Sequence, residues 1–106
     1  MCGTTGEFSS LTIDERKLIL EKWVASAGKR FKVIAHVGSN CQRSAMELAC
    51  HAEKAGADAI ASIAPSFFKP GTVDELSDFL LRFAGLPVDC LSITIICRRS
   101  QGLICR

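Results

Sequence analysis

Three side chains in this sequence have types and positions that could support chemistry. His36 has an ordinary pKa near neutrality and could move protons, although a histidine on a buried strand is more often a hydrogen-bonded core residue. Cys41 stands at a predicted helix start, where backbone amides could lower the pKa of its thiol; a packing or surface thiol is the alternative. Lys69 lies between a phenylalanine and a proline, and we expect it to order a loop. His51 lies among apolar helix residues and is expected to be structural.

The cysteines and the opening residues bear on the compartment of the protein. Six cysteines in 106 residues are many, yet none belongs to a Cys-x-x-Cys pair, and no histidine stands at metal-ligand spacing beyond them. We therefore predict no metal site. The chain opens on turn residues rather than on a charged and then apolar leader, so we expect a cytoplasmic protein with reduced thiols.

The overall composition is that of one globular domain. Hydrophobic residues make up 48% of the chain and charged residues 23%, and the formal net charge is +2. So small a charge gives no electrostatic reason to expect binding to nucleic acid or to an acidic membrane surface. The longest weakly polar stretch, residues 59–68, is about half of what a bilayer span needs.

Three helices are predicted to position the candidate residues. Capping boxes at Thr12–Glu15 and Thr72–Glu75 begin the first and the third helix. Gly28 and Gly56 supply left-handed stops after the first and the second helix. Apolar residues recur at helical spacing in all three segments. The stripes are Leu20, Trp23, Val24 and Ala27, then Ala45, Leu48, Ala49, Ala52 and Ala55, then Leu76, Phe79, Leu80 and Phe83.

Two short apolar runs between these helices are typical of strands buried on both faces. They are Val33–Val37 and Ala59–Ala64, and their alternation with helices indicates βα units and a parallel sheet. Right-handed crossovers then place the strand-to-helix loops at one edge. We expect the segments Gly3–Glu7, His36–Asn40 and Pro65–Gly71 to share that carboxyl edge, where α/β proteins bind ligands.

Four motifs in sequence order carry a resemblance to a known family. Gly3-Thr4-Thr5-Gly6-Glu7, Val33–Gly38, Glu53–Ala59 and Pro65–Pro70 resemble segments of the pyruvate-dependent class I aldolases, the N-acetylneuraminate lyase and dihydrodipicolinate synthase family. The resemblance covers residues 3 to about 87. It implies an α/β fold that is part of a (β/α)8 TIM barrel, from the loop after the second strand through the fourth helix.

The resemblance also implies a chemistry. In this family a lysine on the sixth strand forms a Schiff base with the ketone of pyruvate or sialic acid, a tyrosine at the end of the fifth strand relays protons, and neither cofactor nor metal is needed. Thr4 and Thr5 match the paired hydroxyl residues that hold the substrate carboxylate, with glycines on either side that let backbone amides approach it. The alternative is a Gly/Thr turn that only caps a helix.

No catalytic residue of the family is matched in this chain. It contains no tyrosine, and its last lysine, Lys69, falls on the fourth-strand loop rather than on the sixth strand. We therefore expect an inactive chain when it is alone. For the full-length family, the resemblance implies a homotetramer whose partners are small molecules, a sugar acid and pyruvate.

Two positions favour the lyase branch of the family over the synthase branch. His36 stands in a His-Val-Gly segment that resembles the animal lyases, and Phe67-Phe68 stand where the synthase branch usually has a tyrosine pair. The expected reaction is cleavage of sialic acid to N-acetylmannosamine and pyruvate. A synthase-like pyruvate aldolase and a non-catalytic truncated isoform are the alternatives. Phe8 departs from the glycine that is common in the family after this glutamate.

The last residues do not resemble the family. We divide the chain into a partial barrel at 1–87 and a tail at 88–106. Codons for residues 92–102, translated one base earlier, are compatible with Tyr-Tyr-Tyr-His-Met-Pro-Ala-Leu-Thr-Gly, which resembles the family's fifth strand and its tyrosine. The hypothesis is that the tail is an out-of-frame translation of such a gene. The alternative is a genuine β-rich tail, because Leu91–Cys97 has good strand propensity.

Overall fold

The fold is an alternation of helices and parallel strands. The computed structural model describes residues 1–67, 69–84 and 92–95. A 3₁₀ turn at Phe8–Ser10 precedes the other elements. These are α1 (Ile13–Ala27), β1 (Ile34–His36), α2 (Gln42–Ala55), β2 (Ala59–Ser62), α3 (Val73–Ala84) and β3 (Ser92–Ile95).

The predicted helix boundaries are confirmed by the hydrogen bonds at their ends. The Thr12 hydroxyl accepts from Glu15 N at 3.2 Å, and the Glu15 carboxylate accepts from Thr12 N at 2.8 Å, so the first capping box is complete. In the second box, Thr72 accepts from Glu75 N at 3.2 Å, but Glu75 reaches Gly71 N instead of Thr72 N. Gly56 ends α2 in the left-handed conformation. Gly28 also has a positive φ of 53°, although its ψ of −125° lies outside the left-handed helical region.

The sheet is parallel, with the strand order β1-β2-β3. Ile34 of β1 lies opposite Ala59 of β2, and Ala59 lies opposite Ser92 of β3. On the other side of β1, the N-terminal ammonium donates to Ile34 O at 2.6 Å and His36 N donates to Met1 O at 3.1 Å. The α/β fold with a parallel sheet is therefore confirmed.

Both outer edges of the two predicted strands are paired. The runs predicted as strands form β1 and β2; Met1 pairs with β1, and Ser92–Ile95 pairs with β2. The physical reason is that an unpaired strand edge presents N–H and C=O groups that any extended neighbouring segment satisfies. Strand formation at 92–95 matches the β-rich alternative for the tail. The boundary at 87/88 and the reading-frame hypothesis remain predictions, and residues 85–91 and 96–106 lie outside the described part of the chain.

The core lies between the sheet and the helices. Ala45, Ala49 and Ala52 are fully buried, and such small side chains let α2 lie close to the strands. Ile60 and Leu76 fill the space around them and are each 1% exposed. The complete core cluster is Leu20, Ala27, Val33, Ala35, Val37, Ala45, Leu48, Ala49, Ala52, Ile60, Ala64, Leu76 and Leu80.

Two residues expected in the core are half exposed. Ile34 is 44% exposed because it alternates to the face of β1 that no helix covers, so this strand is not buried on both faces along its whole length. Trp23 is 49% exposed and meets the ring of Phe31 edge-on at 6.2 Å. The burial of Phe83, another member of the predicted stripes, lies outside what the structure describes.

These exposed side chains lead to a prediction about the stability of the 106-residue chain. Leaving a large apolar side chain in water forfeits roughly 1.5–3 kcal/mol, whereas whole domains are stable by only about 5–15 kcal/mol. Leu18, Trp23, Phe31, Ile34 and Phe67 are all at least 44% exposed. We expect a marginally stable, aggregation-prone or partner-dependent species. Differential scanning calorimetry that gives a sharp two-state transition for a soluble monomer would contradict this expectation.

Candidate functional site

The carboxyl edge of the sheet brings two of the predicted loops into direct contact. The Asn40 side-chain oxygen, after β1, accepts hydrogen bonds from Ser66 N at 2.8 Å and from the Ser66 hydroxyl at 3.1 Å. It also accepts from Phe67 N at 3.4 Å, after β2. The prediction that these loops share one edge is therefore confirmed. Asn40 is a linking residue that the sequence analysis did not single out; its place after an apolar strand was the available signal.

The glycine-threonine loop leaves from the same edge, because Met1 immediately precedes it along β1. The loop closes on itself through Glu7 N, which donates to Thr4 O at 3.1 Å, and Phe8 N, which donates to Gly3 O at 3.4 Å. Thr4 and Thr5 are exposed. Since α1 is capped by Thr12, the loop is not needed as the cap of that helix. Carboxylate binding by Thr4 and Thr5 remains a prediction.

Arg16 is a buried cation that anchors this edge. Its side chain is 4% exposed, and its guanidinium donates to His36 O at 2.7 Å and to Gly38 O at 3.1 Å. The ring of Phe8 lies 5.3 Å from the guanidinium carbon, close enough for a cation–π contact. Burial lowers the pKa of Arg16, and the neighbouring Cys2 raises it. The sequence analysis missed Arg16, although its position four residues before Leu20 places it on the buried stripe of α1.

His36 lies under the first loop, and neither of its ring nitrogens has a hydrogen-bond partner among the residues that the structure describes. Its ring is 4.6 Å from the ring of Phe8, and the side chain is 6% exposed. The expectation of a hydrogen-bonded core histidine is therefore wrong in one respect: the residue is buried, but its ring nitrogens form no hydrogen bond with the described residues. Burial, together with the charges of Arg16 and the N-terminus, lowers the pKa of His36 to about 4. The imidazole is neutral at pH 7.

Gly38 is required by the position of this ring. A Cβ atom at residue 38 would lie 2.7 Å from His36 Cε1 and 3.2 Å from Ile63 N. The first contact is shorter than real Cβ atoms show, and the second involves backbone that cannot easily move. A side chain at residue 38 would therefore displace either the imidazole or the end of β2.

The depressed pKa of His36 predicts a pH dependence of stability. Between the unfolded value near 6.5 and the folded value of about 4, the unfolded chain binds the proton and the folded chain does not. The free energy of unfolding should therefore fall as pH drops through this window, by about 3 kcal/mol in total. In urea titrations at a series of pH values, His36→Leu should remove this slope, because leucine has no proton to bind. Leucine is a suitable replacement because the ring nitrogens have no hydrogen bonds to lose among the described residues.

The second histidine provides the control. His51 lies between α1 and α2, with Nε2 at 3.2 Å from a Glu21 carboxylate oxygen. His51→Gln should leave the slope between pH 6.5 and 4 in place. A slope that survives His36→Leu would show that other groups cause it. The pKa of Asp58 is lowered mainly by its hydrogen bond from Val33 N. The contribution of Asp58 to the free energy of unfolding is therefore lost only at a pH below the window of His36.

The remaining candidate residues lie at the surface. Cys41 is exposed at the start of α2, and hydrogen bonding by the Ser44 side chain and backbone lowers the pKa of its thiol. Lys69 is exposed, and its neighbour Phe68 lies outside the described residues. Cys2, Cys41 and Cys50 are free thiols. Within residues 1–67, 69–84 and 92–95, His, Cys, Asp and Glu side chains form no group of three or more that could hold a metal ion.

Two further properties of the described residues concern ligands and membranes. A small cavity of about 40 Å³ lies at the carboxyl edge; it is lined by the 3₁₀ turn that follows the glycine-threonine loop and by the two loops that Asn40 joins, with Phe8, Asn40 and Ser66 among its residues. This volume suits a few water molecules rather than a sugar acid. Among the helices of the described part, none has both the length and the apolar character needed to cross a membrane.

Comparison with known proteins places this arrangement in a family. The sequence profile of the dihydrodipicolinate synthetase family matches residues 1–87. N-acetylneuraminate lyase of Gallus gallus is 52% identical over 83 residues, which are 77% of this chain and 27% of the relative. The Homo sapiens protein of the same name is 47% identical over 83 residues, with 77% and 26% covered. The chain thus spans about a quarter of the length of the curated relatives that it matches.

Solved structures agree with the sequence relatives. N-acetylneuraminate lyase of Proteus mirabilis superposes with a TM-score of 0.87 at 32% identity, over 99% of this chain and 35% of that chain. A dihydrodipicolinate synthase, dapA, superposes with a TM-score of 0.79 at 41% identity, over 88% and 31%. These matches confirm the resemblance carried by the four sequence motifs. Since the family profile covers most of its length, this chain belongs to the dihydrodipicolinate synthetase family.

Proposed function

We propose that this chain is the carboxylate-binding part of an N-acetylneuraminate lyase, a pyruvate aldolase that cleaves sialic acid to N-acetylmannosamine and pyruvate. The observation that carries the proposal is the position of the Gly3–Glu7 loop. It lies at the carboxyl edge of a parallel sheet, beside two loops linked by Asn40, with Thr4 and Thr5 exposed. In this proposal β1, β2 and β3 are consecutive strands of a (β/α)8 barrel.

The chemistry of the loop suits a carboxylate. Threonine hydroxyls and backbone amides are donors, and hydrogen bonds to an ionised carboxylate are about twice as strong as neutral ones. A Cβ at Gly6 would lie 3.3 Å from Cys2 Cα, so a larger residue there would require a small shift of the loop backbone. The loop would hold the carboxylate of pyruvate or sialic acid while a lysine elsewhere in the whole protein forms the Schiff base. No cofactor enters this reaction.

The names of the relatives favour the lyase over the synthase. The Gallus gallus and Homo sapiens relatives, at 52% and 47% identity, are both N-acetylneuraminate lyases. Phe67 adds support, because it is 78% exposed at the carboxyl edge and has no hydroxyl to offer a neighbouring site. A synthase-like pyruvate aldolase is the second candidate, supported by the dapA structure at 41% identity. Homotetrameric assembly and a cytoplasmic location belong to the same proposal for the whole protein.

A chimera of the Gallus gallus lyase tests the function. The 83 matching residues of this chain would replace their counterparts in the relative, which they resemble at 52% identity. We expect cleavage of N-acetylneuraminate and no condensation of pyruvate with aspartate semialdehyde. Condensation without cleavage would favour the synthase-like alternative, and a folded chimera that catalyses neither reaction would contradict both candidates.

The same chimera tests the two threonines. Thr4→Val and Thr5→Val each remove a hydroxyl with little change of shape, and each should lower kcat/KM. A hydrogen bond to a charged group contributes about 1.5–3 kcal/mol, so we expect a loss of roughly 10- to 100-fold per substitution. Thr4→Ser, which keeps the hydroxyl, should retain most of the activity. Unchanged kcat/KM in both valine variants would contradict the proposal that the loop binds the substrate carboxylate.

A further inference from the structure

The glycine-threonine loop is flanked by strained backbone at both ends. Cys2, which precedes Gly3, has a φ of 51°, and Glu7, the last residue of the loop, has a φ of 51° and a ψ of 45°. Both residues lie in the left-handed region, which side chains other than glycine seldom occupy. Such a conformation persists only where surrounding contacts hold it in place. The contacts at the two ends of the loop therefore decide whether Thr4 and Thr5 keep their positions.

The first end of the loop is held by the sheet. The N-terminal ammonium donates to Ile34 O at 2.6 Å, and Met1 O accepts from His36 N at 3.1 Å. The side chain of Cys2 is buried, with 8% of its surface exposed. This end is thus fixed by hydrogen bonds to β1 and by burial.

The second end of the loop is held by the side chain of Phe8. This half-buried ring lies 4.6 Å from the ring of His36 and 5.3 Å from the guanidinium carbon of Arg16. Arg16 is 4% exposed, and no carboxylate in the described part of the chain forms an ion pair with it. An attraction between a cation and an aromatic face is strongest when water is excluded in this way. The hydrogen bonds from Glu7 N and Phe8 N close the loop on itself, whereas the Phe8 ring connects it to the core.

We propose that Phe8 is a positioning residue for the substrate carboxylate. Packed on Arg16 and His36, its ring holds Glu7 in the left-handed conformation and thereby holds Thr4 and Thr5 where they receive the carboxylate. Phe8 does not itself touch the substrate. The role rests on the proposed function of the loop, and the family resemblance does not supply it, because glycine is common at this position in the family.

This role has a specific kinetic signature. The carboxylate does not react, so the loop binds it equally in the ground state and in the transition state, and weaker binding raises KM while kcat stays the same. A loop that populates other conformations binds more weakly in proportion to the time it spends in them. Loss of folded enzyme has the opposite signature, because it lowers the apparent kcat and leaves KM unchanged.

Steady-state kinetics of the Gallus gallus chimera with N-acetylneuraminate test the role of Phe8. Phe8→Leu removes the aromatic face but keeps an apolar side chain, and we expect KM to rise roughly 3- to 10-fold with kcat unchanged. Phe8→Tyr keeps the aromatic face and should retain the wild-type KM. Phe31→Leu is the matched control, because Phe31 meets Trp23 before the amino end of β1, away from the loop, and should change neither constant. An unchanged KM in Phe8→Leu, or a fall in kcat alone, would overturn the proposal.

Hydrogen–deuterium exchange of the same chimera tests the contact without catalysis. Peptides that contain the amides of Glu7 and Phe8 should exchange faster in Phe8→Leu than in the wild type, whereas peptides from α2 should not change. An active chimera whose KM and loop exchange are unaffected by Phe8→Leu overturns the positioning role and leaves the proposed function standing. A chimera that is inactive with Phe8 in place contradicts the proposed function, and unchanged loop exchange in Phe8→Leu would then overturn the anchoring of the loop as well.

Discussion

Treatment of the 106-residue chain with pyruvate and borohydride is expected to leave its mass unchanged. A Schiff base forms when a neutral amine attacks the ketone, so the lysine must lose its proton near neutral pH, which in enzymes follows from burial or from a neighbouring cation. The chain has six lysines, all at described positions. Five of them are exposed, namely Lys22, Lys29, Lys32, Lys54 and Lys69.

The sixth lysine is the least suitable nucleophile. Lys17 is half-buried between α1 and α2 and is bonded to Glu47, and this hydrogen bond raises its pKa. A raised pKa keeps more of the amine protonated and unreactive. Intact-protein mass spectrometry after reduction should therefore show no stoichiometric pyruvyl adduct. The whole Gallus gallus lyase, treated in parallel, serves as the positive control for the trapping chemistry.

An adduct on this chain would be informative in its position. Peptide mapping would identify the modified lysine. Lys69 is the candidate to check first, because it follows Ser66, which Asn40 binds at the carboxyl edge, by three residues. Lys69→Arg keeps the charge but removes the nucleophile. A stoichiometric adduct abolished by Lys69→Arg would contradict the prediction and assign this exposed lysine a catalytic role.

Replacing Arg16 with methionine is expected to destabilise the fold by about 3 kcal/mol. The buried guanidinium donates to His36 O and Gly38 O, and methionine would leave both carbonyls without this donor. Burying the cation has a free-energy cost that opposes these hydrogen bonds, and the lowered pKa of Arg16 reflects that cost. We expect the hydrogen bonds to dominate, because two carbonyl groups lose their donor together and the Phe8 ring loses its cationic neighbour.

Urea titration monitored by circular dichroism measures this effect, with a second arginine as control. Arg30 is exposed just beyond the end of α1 and donates to Ser26 O, so Arg30→Met should change the free energy of unfolding by less than about 0.5 kcal/mol. Arg16→Lys keeps the charge but cannot reach both carbonyls in the same fork geometry, and it should fall between the two. If Arg16→Met were as stable as the wild type, the cost of burying the guanidinium would equal the value of its bonds.

Much of the fold could be predicted because its signals are local. Thr12 and Glu15 lie three residues apart and complete a capping box that needs no distant partner. Gly56 ends α2 because a positive φ is easiest for glycine. The alanines at helical spacing in α2 predicted which face of this helix is buried. The shared edge of the loops followed from the handedness of βα units, and the family followed from four ordered motifs.

Only the tertiary structure decided the features that depend on contacts between distant segments. Asn40 meets Ser66, and Arg16 meets His36 and Gly38, across 20 or more residues of chain. Whether the His36 nitrogens find partners depends on which groups surround the ring. Phe8 packs against it, and within residues 1–67, 69–84 and 92–95 neither nitrogen has a hydrogen-bond partner. Local pattern reports which face of an element is apolar. The pairing of buried polar atoms is settled by geometry in space, because hydrogen bonds require short distances that spacing along the chain does not encode.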